Sequence, residues 1–444
     1  INNKHTNTPT HHIIIEHRNT HSKTVTNMNI FIETYGCESN QYSTEIMAAL
    51  LTEAGHKLTA KDNAELIILN TCALETKTEK KIITRIKELN DTNKKILIGG
   101  CLTEIQKEKI QATSQKASLM GTNSVTHIKD IVDKIKNNFK VTRIRDKPEL
   151  LINQPRQRIY PYLATIQIAE GCLDTCSFCV DRTTKGSLIS YEPEQIIREV
   201  QNALKDDCVE IQLTAQDIAS YGRDKGTKLP SLIRKLSSIP GNFKIRLGQM
   251  NPANILPILD DLILAYNHPK IYQYLDLPVQ SGSNKILKNM KRNYTKEEYQ
   301  VIISSFRKKY PNITISTDVM IGYPEETDED FGKTIDLIKE VKPDIINTYI
   351  YSERPFTKAG HAQIPPWKIK NWSIELDQLY DKIKEQKKDS WLHWHGEVTV
   401  TQKIGDAYLA RNSCYIPIIL KNAKLGEKQT TEIIEEKPNY YIGR

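Results

Sequence analysis

Residues 169–186 read AEGCLDTCSFCVDRTTKG and set three cysteines, Cys172, Cys176 and Cys179, at intervals of four and three. A closed tetrahedral zinc site takes four protein ligands, and a disulfide takes two. Three thiolates this close suit a metal centre that keeps one coordination position open. A zinc knuckle needs a fourth Cys or His nearby, and none lies between residues 140 and 207. Three thiolates on a [4Fe-4S] cluster leave the fourth iron free for a cofactor. The preceding YLATIQIAE, residues 162–170, reads as a strand, so the cysteines fall in the loop that follows it.

Strand and helix patterns alternate downstream of this motif. CVEIQLTAQD (208–217), FKIRLGQM (243–250), IYQYLDLPVQSGS (271–283), ITISTDVMIGYP (313–324) and DIINTYIYS (344–352) read as strands, with amphipathic helices between them. Six parallel units in about 200 residues predict an incomplete (βα)6 barrel over 158–388, since the eight-unit kind usually needs about 250. Its reactive face lies at the carboxyl ends of the strands. Gln216, Asn251 and Gln280 stand at such ends and are candidate cofactor contacts, and Asp318 in the fifth strand is expected to point inward.

Residues 28–140 carry a second alternation. NIFIETYGC (29–37), ELIILNTC (65–72) and KKILIGGC (94–101) read as strands ending at Cys37, Cys72 and Cys101. Strands alternating with helices predict a parallel α/β sheet whose post-strand loops gather along one edge. The small residues Gly36, Thr71 and Gly100 precede these cysteines. The pattern points to a second metal centre held by three thiolates. Cys208 and Cys414 have no partners at useful spacing and are assigned to packing.

From residue 391 to 444 the pattern alternates in period two, which predicts a small all-β barrel. The fold class is therefore α/β, with a parallel-sheet domain, a partial barrel and a terminal β-barrel. Residues 1–27 are polar and read as a disordered or non-native extension. The formal charge of +8 permits a polyanionic partner without requiring one. No apolar run reaches the roughly 18 residues of a membrane span. Eight cysteines without an export signal point to a reducing cytoplasm.

The Cys-x3-Cys-x2-Cys spacing, with Phe178 before the third cysteine, resembles the signature of the radical S-adenosylmethionine superfamily. GCESNQYSTE, NTCALETKTEK, LPVQSGSNKILKNMKRNYT and ISTDVMIGYPEETDEDF further resemble segments of the methylthiotransferases. LTAQDIASYG and RLGQMNPANI are most like the branch acting on threonylcarbamoyladenosine beside the tRNA anticodon. Other branches act on isopentenyladenosine in tRNA or on a ribosomal-protein aspartate. The resemblance implies two [4Fe-4S] clusters and S-adenosylmethionine, with Cys172, Cys176 and Cys179 as the radical-generating set. Cys37, Cys72 and Cys101 would hold the second cluster, which carries the sulfur. It also implies a tRNA substrate, an electron donor such as a ferredoxin or flavodoxin, a sulfur donor, and a TRAM-like RNA-binding terminal barrel. Family members commonly have Arg-Gly where this chain has Lys185-Gly186. Lysine keeps the charge there but loses the bidentate fork. Arg411, Lys421, Tyr440, Tyr441 and the basic run KILKNMKRNYTK (285–296) are candidate RNA contacts. A non-catalytic RNA-binding protein with structural zinc is the alternative from another class.

Overall fold

The computed structural model describes residues 11–12, 27–147, 150–387 and 389–444. Most of the expected 1–27 extension lies outside the described residues; His11–His12 within it pairs antiparallel with Asn29–Thr34. The first unit is a parallel sheet in the order Asn29–Thr34, Leu66–Thr71, Lys95–Gly100, Ser118–Met120, Thr142–Arg143. Its last strand lies just past the expected boundary at 140. Alternate residues of each strand enter different layers. Ile30, Ile32, Leu66 and Ile68 pack with Tyr42 and Ile46 of the helix Glu38–Glu53. Phe31, Ile67 and Leu69 pack with Ile82 and Ile86 of the helix Thr76–Asn90 on the other face. The chain thus leaves two adjacent strands for opposite faces, which opens a crevice at their carboxyl ends.

The second unit has six parallel strands in two groups. Leu163–Gln167, Glu210–Thr214 and Lys244–Leu247 form one sheet, and Tyr274–Asp276, Thr314–Ile321 and Ile345–Ile350 form the other. A parallel bridge between Ile245 and Ile271 joins them, while the first and sixth strands are not paired with each other. That is the incomplete barrel, open along one side.

The first unit is fastened to the second by buried ion pairs. Arg156, in the segment between them, reaches Glu45 of the first unit and Glu199 of the second, and its guanidinium lies 3.8 Å from the Tyr42 ring centroid. Ser39 Oγ donates to Gln167 Oε1 across 2.9 Å, and Arg354 pairs with Glu79. Breaking a buried pair of this kind costs about 3–5 kcal/mol. The third unit is a closed ring of five strands, His395–Ile404, Ala407–Arg411, Pro417–Leu420, Tyr440–Gly443 and Lys428–Lys437. Its Tyr415 fills the amino-terminal end of the partial barrel, against Tyr272 and Tyr274.

Candidate active site

The first cysteine set lies along the crevice. The strand expected to run to Cys37 stops at Thr34, because Gly36 turns the backbone to φ +111 and Cys37 opens the following helix as its N-cap. Cys72 and Cys101 directly follow their strands. A Cβ on Gly36 would meet the Cys72 Cβ at 2.6 Å, and one on Gly100 would meet the Thr71 carbonyl oxygen at 2.4 Å. Both glycines therefore let the cysteine loops approach one another. Asn40 Nδ2 donates to the carbonyls of Tyr35 and Thr71, and Asn70 Nδ2 donates to the carbonyl of Asn40. These two buried amides hold the Cys37 and Cys72 loops side by side.

Burial pushes all three thiols up. It raises the Cys101 thiol to about 12 and the Cys72 thiol well above its ordinary value, with Cys37 adding to both. Cys37 is solvent-accessible, and enclosure by protein still raises its thiol. Thiols this far from ionising need positive charge or metal to become thiolates.

The second cysteine set is held by its neighbours on every side. Cys172 N–H donates to the Gly186 carbonyl, and Cys179 N–H donates to that of Cys176. Ser177 N–H donates to the carbonyl of Met290, and its Oγ donates to that of Asn289. Asp174, between Cys172 and Cys176, accepts from Asn251 Nδ2 at 2.6 Å and from Asn254 Nδ2 at 2.9 Å. Arg292 Nη1 donates to Cys176 Sγ across 3.5 Å. Burial raises the Cys172 thiol to about 12, with Asp217 and Asp181 adding.

One short helix joins the two sets. Asp181–Lys185 follows Cys179 and packs on Cys101–Ile105, with Thr122 Oγ1 donating to the Thr184 carbonyl at 2.6 Å. Asp181 raises the thiols of Cys37, Cys72, Cys101, Cys172 and Cys179. Lys185 is 5% exposed and lowers those of Cys37 and Cys101. It is therefore a buried cation beside the first set and not a surface phosphate contact.

The expected cofactor contacts divide. Gln216 Oε1 and Gln280 Oε1 are buried without a hydrogen-bond partner, and Gln280 sits at φ +67. Asn251 instead has both ends engaged, its Oδ1 capping Ala253 N and its Nδ2 on Asp174. It positions the cysteine loop. Asp318 does point inward, accepting from Gln249 Nε2 at 2.8 Å and Asn347 Nδ2 at 2.9 Å. Beside it Arg246 pairs with Asp276 and Glu38, a cluster that the sequence reading missed because strand interiors gave no sign of it. The basic run also differs from expectation: Arg292 turns to Cys176 and Lys285 pairs with Asp330. In the terminal barrel Arg411 stacks on Tyr415 at 4.0 Å and Tyr441 packs on the core, while Lys421 is exposed.

Among the described residues no three Cys, His, Asp or Glu side chains converge closely enough to share one metal ion. A mononuclear zinc site needs that convergence. In a cluster each thiolate binds its own iron, so the sulfurs stand further apart. Each set supplies three free thiols, the donor type of an iron–sulfur cluster that keeps one iron open.

Residues 29–121 match the family described as uncharacterized protein family UPF0004, and residues 166–338 match the radical SAM superfamily. The chain is 37% identical to a probable threonylcarbamoyladenosine tRNA methylthiotransferase of Methanothermobacter thermautotrophicus, over 93% of this chain and 98% of that one. Its counterpart in Archaeoglobus fulgidus is 39% identical over 94% and 98%. The human threonylcarbamoyladenosine tRNA methylthiotransferase is 31% identical over 94% of this chain and 73% of its own. Among solved structures, the radical S-adenosylmethionine methyltransferase TsrM from Kitasatospora setae aligns at a TM-score of 0.53. That alignment covers 72% of this chain and 74% of TsrM at 14% identity, a likeness of fold. By these matches, the chain belongs to the radical S-adenosylmethionine methylthiotransferases, in the threonylcarbamoyladenosine tRNA methylthiotransferase family.

Proposed function

We propose that the protein transfers a methylthio group to C2 of N6-threonylcarbamoyladenosine next to the tRNA anticodon. Cys172, Cys176 and Cys179 hold the [4Fe-4S] cluster that works on S-adenosylmethionine, and Cys37, Cys72 and Cys101 hold a second. The observation that carries this reading is the short helix Asp181–Lys185, which follows Cys179 and packs on the helix that Cys101 opens, so that the two three-thiol sets are neighbours. When bound, these groups supply the one-electron chemistry that breaks an aromatic C–H bond no general base reaches.

The chain's own residues bind, orient and shield. Gln216 and Gln280 offer acceptors to the cofactor. Asn251, Asn254 and Asp174 fix the loop of Cys172, and Arg292 places positive charge on Cys176. Lys185 offsets the charge of Cys37 and Cys101. The first unit, docked along the open side of the partial barrel, excludes water from the cleft.

The terminal β-barrel is an RNA-holding surface, with Lys421 exposed on it. A ferredoxin or flavodoxin type of electron donor and a sulfur donor complete the reaction. The cytoplasm supplies both tRNA and reduced thiols, and no helix among the described residues is long and apolar enough to cross a membrane.

Nucleoside mass spectrometry of tRNA from a strain lacking the gene tests this. Loss of 2-methylthio-N6-threonylcarbamoyladenosine, restored by the gene, is expected. Loss of the methylthio isopentenyl nucleoside, or of a methylthio-aspartate in a ribosomal protein, would move the activity to another substrate. Colourless, zinc-bearing protein after anaerobic purification would remove the activity altogether.

A further inference from the structure

The loop after the sixth barrel strand runs between the first unit and the loop of Cys176 and Cys179. Arg354 is tied to Glu79 on the helix behind Cys72, while the N–H groups of Lys358 and Ala359 donate to the carbonyl of Ser177, between Cys176 and Cys179. Between these anchors stands Phe356. It is 62% exposed and held at φ +66, a backbone that suits glycine and strains an aromatic residue. The Arg145 guanidinium lies 6.0 Å from its ring centroid, reaching across from the first unit. Leu74, two residues past Cys72, is 50% exposed, and Leu173, next to Cys172, is 37% exposed. Large apolar groups are thus presented to solvent on the loops that carry the cysteines.

An exposed aromatic at a strained backbone position, doubly anchored and backed by a cation, has no packing role to explain it. Strain of this kind persists where the surroundings hold it in place, and it gathers at functional sites. We propose that Phe356, with Arg145 beside it, is a stacking platform for one unpaired base of the RNA loop that presents the target adenosine. This rests on the tRNA reading above and extends it to a named contact. Unpaired RNA bases are commonly held by stacking on aromatic rings and guanidinium planes. A base on the exposed face of the ring would be clamped at the rim of the cleft, which keeps the neighbouring adenosine at its opening.

The test uses anaerobically reconstituted holoprotein and a fluorescently labelled anticodon stem-loop of tRNA, with binding read by anisotropy. Phe356→Gly is expected to raise Kd roughly five- to a hundredfold, the range for losing one base stack, while its melting temperature holds or rises as the strain is relieved. Phe356→Tyr should bind as the parent does. Stem-loops made abasic at single loop positions identify the base. At one position the parent should lose affinity and Phe356→Gly should lose no more, the non-additivity of a direct contact. Equal affinity of Phe356→Gly and parent would overturn the platform, as would a drop in melting temperature with unchanged Kd, which assigns Phe356 to packing. Failure of the parent itself to bind the stem-loop would overturn the tRNA reading and the platform with it.

Discussion

Arg292 directs its guanidinium at Cys176, with Nη1 3.5 Å from Sγ. The pairing follows from the run KNMKRNY, whose backbone wraps the cysteine loop and turns this one arginine inward. Reduction of a cluster adds negative charge, and a nearby cation favours it. Arg292→Gln should therefore lower the midpoint potential of the Cys172–Cys179 cluster by roughly 60 mV, one tenfold step for a single electron. Potentiometric titration followed by electron paramagnetic resonance reads this. An unchanged potential would show that Arg292 does not act on the cluster.

Glu326 predicts a pH dependence. Burial lifts its carboxyl from 4.5 to about 7, against the pull of the Gly322 and Tyr323 N–H groups. As pH rises through that window the unfolded chain gives up a proton that the folded chain keeps. Stability from this group is therefore lost as pH rises. Glu326→Gln removes the titration, so the variant should gain on the parent by roughly 1–3 kcal/mol between about pH 5 and about pH 8. Urea denaturation at both pH values measures it. A pH-independent gap would place Glu326 ionised in the fold.

Tyr415 anchors the terminal barrel to the floor of the partial one. Its hydroxyl donates to Glu210 Oε1 at 2.8 Å and accepts from Gln212 Nε2 at 2.9 Å. Tyr415→Phe should cost about 1–2 kcal/mol in denaturant unfolding, since Glu210 stays buried without its donor. Tyr415→Ala also empties an aromatic site, and about 3–5 kcal/mol is expected. Wild-type midpoints in both variants would mean that the two units are not coupled there.

The units were legible because each depends on local pattern, whereas Cys37, Cys72 and Cys101 lie too far apart for a local motif and were grouped only through the parallel-sheet reading. Period-two and helical alternation marked the strands and helices, and thiol spacing marked the radical site. Contacts made across the fold left no such trace. Asn40 and Asn70 read as ordinary polar residues beside strand ends, and only the packed sheet turns them onto the cysteine loops. Arg292 read as one charge in a run of candidate RNA contacts, because nothing local says which basic residue will face inward. Asn251 stood at the right strand end, but the helix it caps uses its oxygen.

The central claim is that Cys37, Cys72 and Cys101 hold a cluster of their own, distinct from the one that works on S-adenosylmethionine. The sharpest test is Cys72→Ala, assayed for both reactions on one anaerobically purified sample, with Cys176→Ala as its mirror. Each variant should keep roughly half of the iron, because each set belongs to its own folding unit. Cys176→Ala should yield no 5′-deoxyadenosine. Cys72→Ala should still yield 5′-deoxyadenosine from S-adenosylmethionine and leave tRNA without the methylthio group. Full methylthio transfer by Cys72→Ala, at a cost of no more than a few kcal/mol in stability, would contradict the account.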